Sequence, residues 1–218
     1  MMKLNFAALR LLLAALCFAF SWSVPAYAEL VLGKQYTLVS PAEPTETGKN
    51  IEVLEFFSYA CPHCNALEPT LNPWAKKLPK DVTFRRLPAV FNDTYMTYAR
   101  IFYTAEAMGM LETLHPAIFN AVHVQHIDLS NERTLQAWVA QQGIDSKKFS
   151  AMYASFSVIS KTQRAKQLTR NFAITGVPSV AVEGKYLTSP SQTGGNEQLL
   201  PVLDDLIKKV RQDRGGKS

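Results

Sequence analysis

The chain has 218 residues, 47% of them hydrophobic and 11% aromatic, with a net charge of +5 from 23 bases and 18 acids. That much apolar material builds a packed core, which excludes general disorder, and the length suits one large domain or a domain carrying an insertion. Acids and bases alternate along the chain without a dense basic run, an RNA-binding signature or a glycine-rich phosphate cradle, so nothing argues for a nucleic-acid partner.

The first 28 residues read as a secretory signal peptide. Lys3 and Arg10 precede an apolar run over residues 11–20, and Ala26-Tyr27-Ala28 closes the segment after Pro25. This is the order of basic region, apolar region and small-residue cleavage site, with the cut expected after Ala28. The run is short of the roughly 20 residues that a spanning helix needs, which weighs against an uncleaved anchor. Acylation of Cys17 would need a small residue before it, and Leu16 is bulky. Cleavage removes Lys3, Arg10 and Cys17, so the mature chain carries +3 and two cysteines, Cys61 and Cys64. Two cysteines three apart do not make a disulfide-stapled scaffold.

Residues 35–40 read as a short strand and 41–50 as a polar loop. Residues 51–58 form a nearly continuous apolar run, as expected of a strand buried on both faces. It leads into Cys61-Pro62-His63-Cys64 and a helix expected over 62–78, with a kink or break at Pro69 and Pro73. A turn at 79–81 and a strand at 82–87 follow. Strand, helix and strand without a hairpin signal predict a parallel βαβ unit. From 93 to 172 apolar residues recur at helical spacing over 96–108, 111–125, 131–142, 147–155 and 158–172. Strands return at 179–182 and 186–188 around a Glu183-Gly184-Lys185 turn, and Asn196 caps a last helix over 197–211. The reading is an α/β sheet domain with an all-helical domain inserted in its middle.

The chemistry concentrates at the cysteine pair. With Cys61 at the N-cap and Pro62 at the first helical position, the free N–H groups of the first turn and the positive end of the helix face the Cys61 sulfur. A protonated His63 adds to both, and all three favour thiolate. Cys64, one turn further in, is the resolving partner. A stabilised thiolate favours the reduced form, which makes the disulfide form an oxidant and Cys61 a good leaving group. Half of a zinc site is the competing reading. It needs further ligands, and His123 and His126 lie some 60 residues away; these two and His115 read as ordinary surface or core histidines. A copper carrier is a further rival, without a methionine-rich tract to support it. Glu55 interrupts the apolar strand six residues before Cys61; buried there it would have a raised pKa and could exchange a proton with Cys64. Glu68 lies one helical turn beyond Cys64 and could tune the same thiol. Thr175-Gly176-Val177-Pro178 sits between a helix and a strand, and nothing local marks its X–Pro bond as cis.

Residues 53–64 (VLEFFSYACPHC), 175–179 (TGVPS) and 33–36 (GKQY), with the signal peptide and the helical insertion, resemble the DsbA family of the thioredoxin superfamily. The resemblance covers essentially the whole mature chain. It implies a thioredoxin fold, a central mixed sheet flanked by helices, over 29–88 and 166–218, with the helical domain inserted at 89–165. It implies a periplasmic thiol:disulfide oxidoreductase, without cofactor or metal, that passes a Cys61–Cys64 disulfide to unfolded or folding exported polypeptides. It also implies a cis Val177–Pro178 bond beside Cys61, a Val177 backbone that pairs with an extended substrate, and Glu55 as the buried acid behind the disulfide. A quinone-linked membrane oxidase of the DsbB type would reoxidise the pair. The insertion would cap the site and leave an apolar groove for unfolded chains, and the protein would act as a monomer.

Overall fold

The computed structural model describes residues 30–215. The signal peptide with its cut after Ala28, Cys17 and the last three residues of the C-terminal tail lie outside them. Five strands form one sheet: β1 (Thr37–Leu38), β2 (Ile51–Phe57), β3 (Val82–Pro88), β4 (Ser179–Val182) and β5 (Tyr186–Thr188). Their order is β1-β5-β4-β2-β3; β2 and β3 are parallel and every other pair is antiparallel. The mixed thioredoxin-like sheet expected from the sequence is therefore present. The helices are α1 (Pro62–Ala75), α2 (Asp93–Ala107), α3 (Leu111–His123), α4 (Glu132–Gln141), α5 (Ser146–Tyr153), α6 (Phe156–Asn171), α7 (Pro190–Thr193) and α8 (Asn196–Gly215).

β2 is the axis of the molecule. All seven of its residues are buried, Glu52 and Glu55 included. Ile51 and Val53 point into an apolar layer completed by Leu67 and Leu71 of α1 and by Leu199, Leu203 and Leu206 of α8. Leu54 and Phe56 face the second and larger layer, which holds the apolar sides of α2 to α6. The helical block between β3 and β4 thus lies against the sheet rather than beside it, and the two faces of one strand join both layers.

Four details differ from the sequence expectations. The first strand shrinks to two residues, although the Val39 N–H still donates to the Lys185 carbonyl at 2.8 Å. α1 runs unbroken through Pro69 and Pro73. Both prolines are exposed, four residues apart on one face, so the carbonyls they leave without an N–H partner face water; exposed Pro116 in α3 and Pro201 in α8 repeat the arrangement. Three helices of the block, α2, α5 and α6, begin one to three residues earlier than their apolar spacing predicts, while α3 begins where predicted and α4 one residue later, and polar caps set four of the five starts. Asn92, Asn131, Asp145 and Ser155 each accept a hydrogen bond from a first-turn N–H. The short α7 has no apolar periodicity and was not expected.

The polar 41–50 loop is pinned rather than free. Glu46 accepts from Arg85 Nη2 at 2.6 Å and from Arg164 Nε at 2.8 Å, which ties the loop to β3 and to α6. The Glu43 N–H donates to the Gly184 carbonyl at 2.9 Å, across the β4–β5 turn. That turn has positive φ at Glu183 and Gly184, 57° and 61°, as the tight hairpins that match strand twist require. A Cβ on Gly184 would fall 1.9 Å from the Glu43 carbonyl oxygen, whereas one on Gly143 (φ 72°) meets nothing within 4 Å. Gly143→Ala therefore carries backbone strain alone and should cost about 1–2 kcal/mol. Gly184→Ala adds a clash and should cost clearly more in urea unfolding; equal losses would show that the loop does not brace the turn.

Candidate active site

The turn from β2 into α1 places the two sulfurs. The Cys61 carbonyl accepts the first helical hydrogen bond, from Asn65 N–H at 3.2 Å, and its extended backbone (φ −95°, ψ 117°) makes it the N-cap, with Pro62 at the first helical position. Both cysteines are thiols in this structure. Cys61 is 7% exposed and Cys64 is fully buried.

The two thiols are unequal, and the leading cause lies between them. The Cys61 pKa falls from 9.0 to about 6. A hydrogen bond from the Cys64 thiol contributes most; burial opposes it, and the N–H groups of Cys64 and His63 and the His63 charge assist. Neither N–H reaches an ordinary capping bond to the sulfur, so the first-turn amides act as oriented dipoles. Cys64 moves the opposite way: burial pushes its thiol up, and donation to Cys61 and the charges of Cys61 and Glu55 push it further.

The third wall comes from far along the chain. Val177–Pro178 is cis, and Cys61 Sγ donates to the Val177 carbonyl at 3.3 Å, across 116 residues of sequence. Next to it runs a groove of about 770 Å3, bordered by His63, Val177, Pro178, Ser189, Gln192 and Asn196. Its lining mixes apolar Val177, Pro178, Leu187 and Pro190 with polar side chains. α7 and the turn into α8 form the far wall, and their capping side chains are serine, glutamine and asparagine. Aromatic surface lies on the helical side instead. Burial raises the Tyr95 pKa, and the charges of both cysteines raise it further; Phe91, 40% exposed, packs edge-on against its ring at 5.1 Å.

Behind Cys64 lies a buried charged cluster. Glu55 is fully buried, and its pKa rises to about 8, through burial first, with Arg86 opposing and Glu68 reinforcing. The parallel register sets Glu55 opposite Arg86 of β3, and Arg86 Nε stands 3.2 Å from Glu55 Oε2 without the angle of a directed hydrogen bond. Glu68, 8% exposed, accepts from Asn72 Nδ2 at 2.6 Å and from Arg86 Nη2 at 3.4 Å, and its Oε2 lies 3.2 Å from His115 Nε2. Burial alone would raise the Glu68 pKa, but His115, Arg86 and Asn72 outweigh it and hold the carboxylate below its usual range. Arg86, Asn72 and His115 escaped the sequence reading. Arg86 was legible in principle, since aligning the starts of the two parallel strands pairs it with Glu55. His115 was read as an ordinary histidine and is instead buried in the cluster; His123 Nε2–H donates to the Tyr59 carbonyl at 2.8 Å. His126 is exposed, and among the described residues no group of three or more histidine, cysteine or acidic side chains is placed to hold a metal ion.

The DSBA-like thioredoxin domain model matches residues 86–200. A thiol:disulfide interchange protein DsbA of Pseudomonas aeruginosa is 39% identical over 202 residues, which is 92% of this chain and 96% of that one. The chain belongs to the DsbA family. A Bordetella pertussis thiol:disulfide interchange protein DsbA is 39% identical over 204 residues, 93% of this chain and 97% of its own length. The crystal structure of Pseudomonas aeruginosa DsbA superposes with a TM-score of 0.82 at 39% identity, covering 85% of this chain and 97% of that one. The oxidoreductase NmDsbA1 from Neisseria meningitidis gives 0.77 at 34%, covering 86% and 97%. The protein is a thiol:disulfide oxidoreductase.

Because the largest cause of the low Cys61 pKa is the Cys64 thiol, thiolate absorbance in the reduced protein should titrate near pH 6. Cys64→Ala should raise that midpoint, and Cys64→Ser, which keeps a donor, should raise it less. The sign for stability follows. A depressed folded-state pKa stabilises the reduced protein fully above 9.0, and that contribution is lost as pH falls through about 6. Glu55, with its raised pKa, has the opposite pH dependence, so the check is the difference in urea unfolding between the reduced wild type and reduced Cys61→Ser across this range; a difference no larger at pH 9 than at pH 5 would contradict it.

Proposed function

We propose that the protein donates its Cys61–Cys64 disulfide to exported polypeptides as they fold, in the periplasm of a Gram-negative bacterium. The observation that carries this reading is a single sulfur, Cys61, that sits at a helix N-cap, has its pKa drawn down to about 6 and lies 3.3 Å from the Val177 carbonyl. A substrate thiolate attacks Cys61 Sγ, the Cys61–Cys64 bond breaks, and Cys64 departs as a thiolate. Cys64 binds its proton tightly and needs one at that moment. Glu55, neutral below about pH 8, supplies it. A second substrate thiolate then attacks the substrate sulfur of the mixed disulfide, and Cys61 leaves as the better leaving group. The substrate gains a disulfide and the protein keeps two thiols.

The mixed disulfide hangs a peptide beside Val177, whose backbone pairs with an extended chain. The Ser189–Gln192 side of the groove offers that chain hydrogen bonds, and Phe91 with Tyr95 offers an apolar edge. A membrane oxidase of the DsbB type, linked to quinone, accepts the two electrons and restores the disulfide. The protein works as a monomer, and no helix among the described residues is long and apolar enough to cross a membrane.

Equilibration of the pair with glutathione tests the direction of transfer. A strongly oxidising equilibrium is expected; one close to that of a reducing thioredoxin would overturn the donor role. Cys61→Ser should abolish oxidation of a reduced model protein, and undiminished activity in that variant would remove Cys61 from the mechanism.

A further inference from the structure

Helix α3 belongs to the helical layer, yet it grips the residue two places before Cys61 at both ends. His123 Nε2–H holds the Tyr59 carbonyl at 2.8 Å, and His115 Nδ1 lies 2.8 Å from the Tyr59 hydroxyl. Phe119, between the two histidines, packs its ring 4.9 Å from that of Tyr59. The second nitrogen of His115 reaches the charged cluster, 3.2 Å from Glu68 Oε2, close enough for its dipole to act on the carboxylate though without the angle of a directed hydrogen bond. A carboxylate at Nε2 selects the tautomer with its proton there, so Nδ1 accepts from the Tyr59 O–H. The imidazole is 5% exposed and bridges a tyrosine and a glutamate.

Arg86 has to serve two acids. Its Nε is 3.2 Å from Glu55 Oε2 and its Nη2 3.4 Å from Glu68 Oε2. One guanidinium between two buried carboxylates compensates neither fully, so whatever holds Glu68 from another direction leaves more of Arg86 for Glu55. We propose that His115 is a positioning residue of the dithiol site: by holding Glu68 from the helical layer it keeps Arg86 free to face Glu55, and so sets the charge state of that acid. This rests on the reading of Glu55 as the proton source for Cys64.

The groups around His115 bear this out. Tyr59 comes from the β2–α1 turn, Glu68 from α1, Arg86 from β3 with Glu55 of β2 beyond it, and Glu112 from α3 itself. α2 contributes Phe102 and, past Tyr59, Tyr98, rings without charge at neutral pH. Glu68 is the only carboxylate in contact with the imidazole among the described residues, and it is the one shared with Arg86. Burial lowers the His115 pKa, with Glu68 opposing, so at neutral pH the ring acts through its Nε2–H rather than through a full charge.

The test is a carboxyl titration followed by 13C NMR in the reduced full chain labelled at glutamate Cδ. Glu55 is assigned as the resonance lost in Glu55→Gln. In the wild type it should titrate near pH 8. His115→Phe keeps an aromatic ring and removes the donor, and should raise that midpoint by about half a pH unit, a roughly threefold gain in proton affinity. His115→Gln, whose amide can still donate to Glu68, should stay near the wild type. Tyr59→Phe removes only the tether on Nδ1, should move the midpoint the same way as His115→Phe, and decides the matter if that variant does not fold. Folded variants that titrate as the wild type does would make His115 a packing residue and leave the role of Glu55 standing. A wild type without any glutamate resonance titrating near 8 would overturn both.

Discussion

A sulfur at the N-cap of α1 accepts a hydrogen bond from a second sulfur one turn along the same helix, and the protein is built to keep those two groups unequal. The donated proton makes Cys61 a stable thiolate and leaves Cys64 a reluctant one. Burial works on both thiols; at Cys61 the Cys64 thiol, the first-turn amides and His63 outweigh it, while at Cys64 the Ser58 backbone does not. The inequality gives direction to exchange: the sulfur that meets a substrate is the better leaving group, and the one behind it needs a proton to settle. Every larger feature serves this asymmetry. β2 delivers the pair to a helix start, α8 and α1 close one face behind it, and the helical layer covers the other.

The proton source proposed for Cys64 is an acid placed where acids are expensive to bury. The fold supplies one by placing Glu55 on the central strand and Arg86 opposite it on the neighbouring parallel strand. Glu68 competes for the same guanidinium, so the two carboxylates part: Glu68 stays ionised with three partners, and Glu55 holds its proton. Two similar side chains within one cluster acquire different charge states from the number of donors each can reach.

The parallel βαβ unit, the last hairpin, the dithiol at a helix start and the helical block were legible from local pattern, because each rests on short-range periodicity or on a motif within a few residues, whereas the strand order was not. Glu55 stood out as a lone acid in an apolar run. What stayed hidden depended on distance or on polar detail. Four helix starts were set by caps from Asn92, Asn131, Asp145 and Ser155, and apolar spacing does not report caps. Pro69 and Pro73 suggested a break, but their tolerance depends on both facing water, which only the packed helix decides. Arg86 could have been found by aligning two strands. His115 could not, since its contact with Tyr59 spans 56 residues and its contact with Glu68 needs α3 laid over α1.

The Cys61–Val177 contact joins positions 116 residues apart, with the whole helical block made between them. A ribosome releases the chain from its N-terminus, so both cysteines emerge long before β4 exists. Until β4 docks against β2, Cys61 lacks the Val177 wall, and the layer that buries Cys64 is unfinished. The enclosure of Cys64 and the Val177 wall beside Cys61 are therefore complete only when the last strands close the sheet.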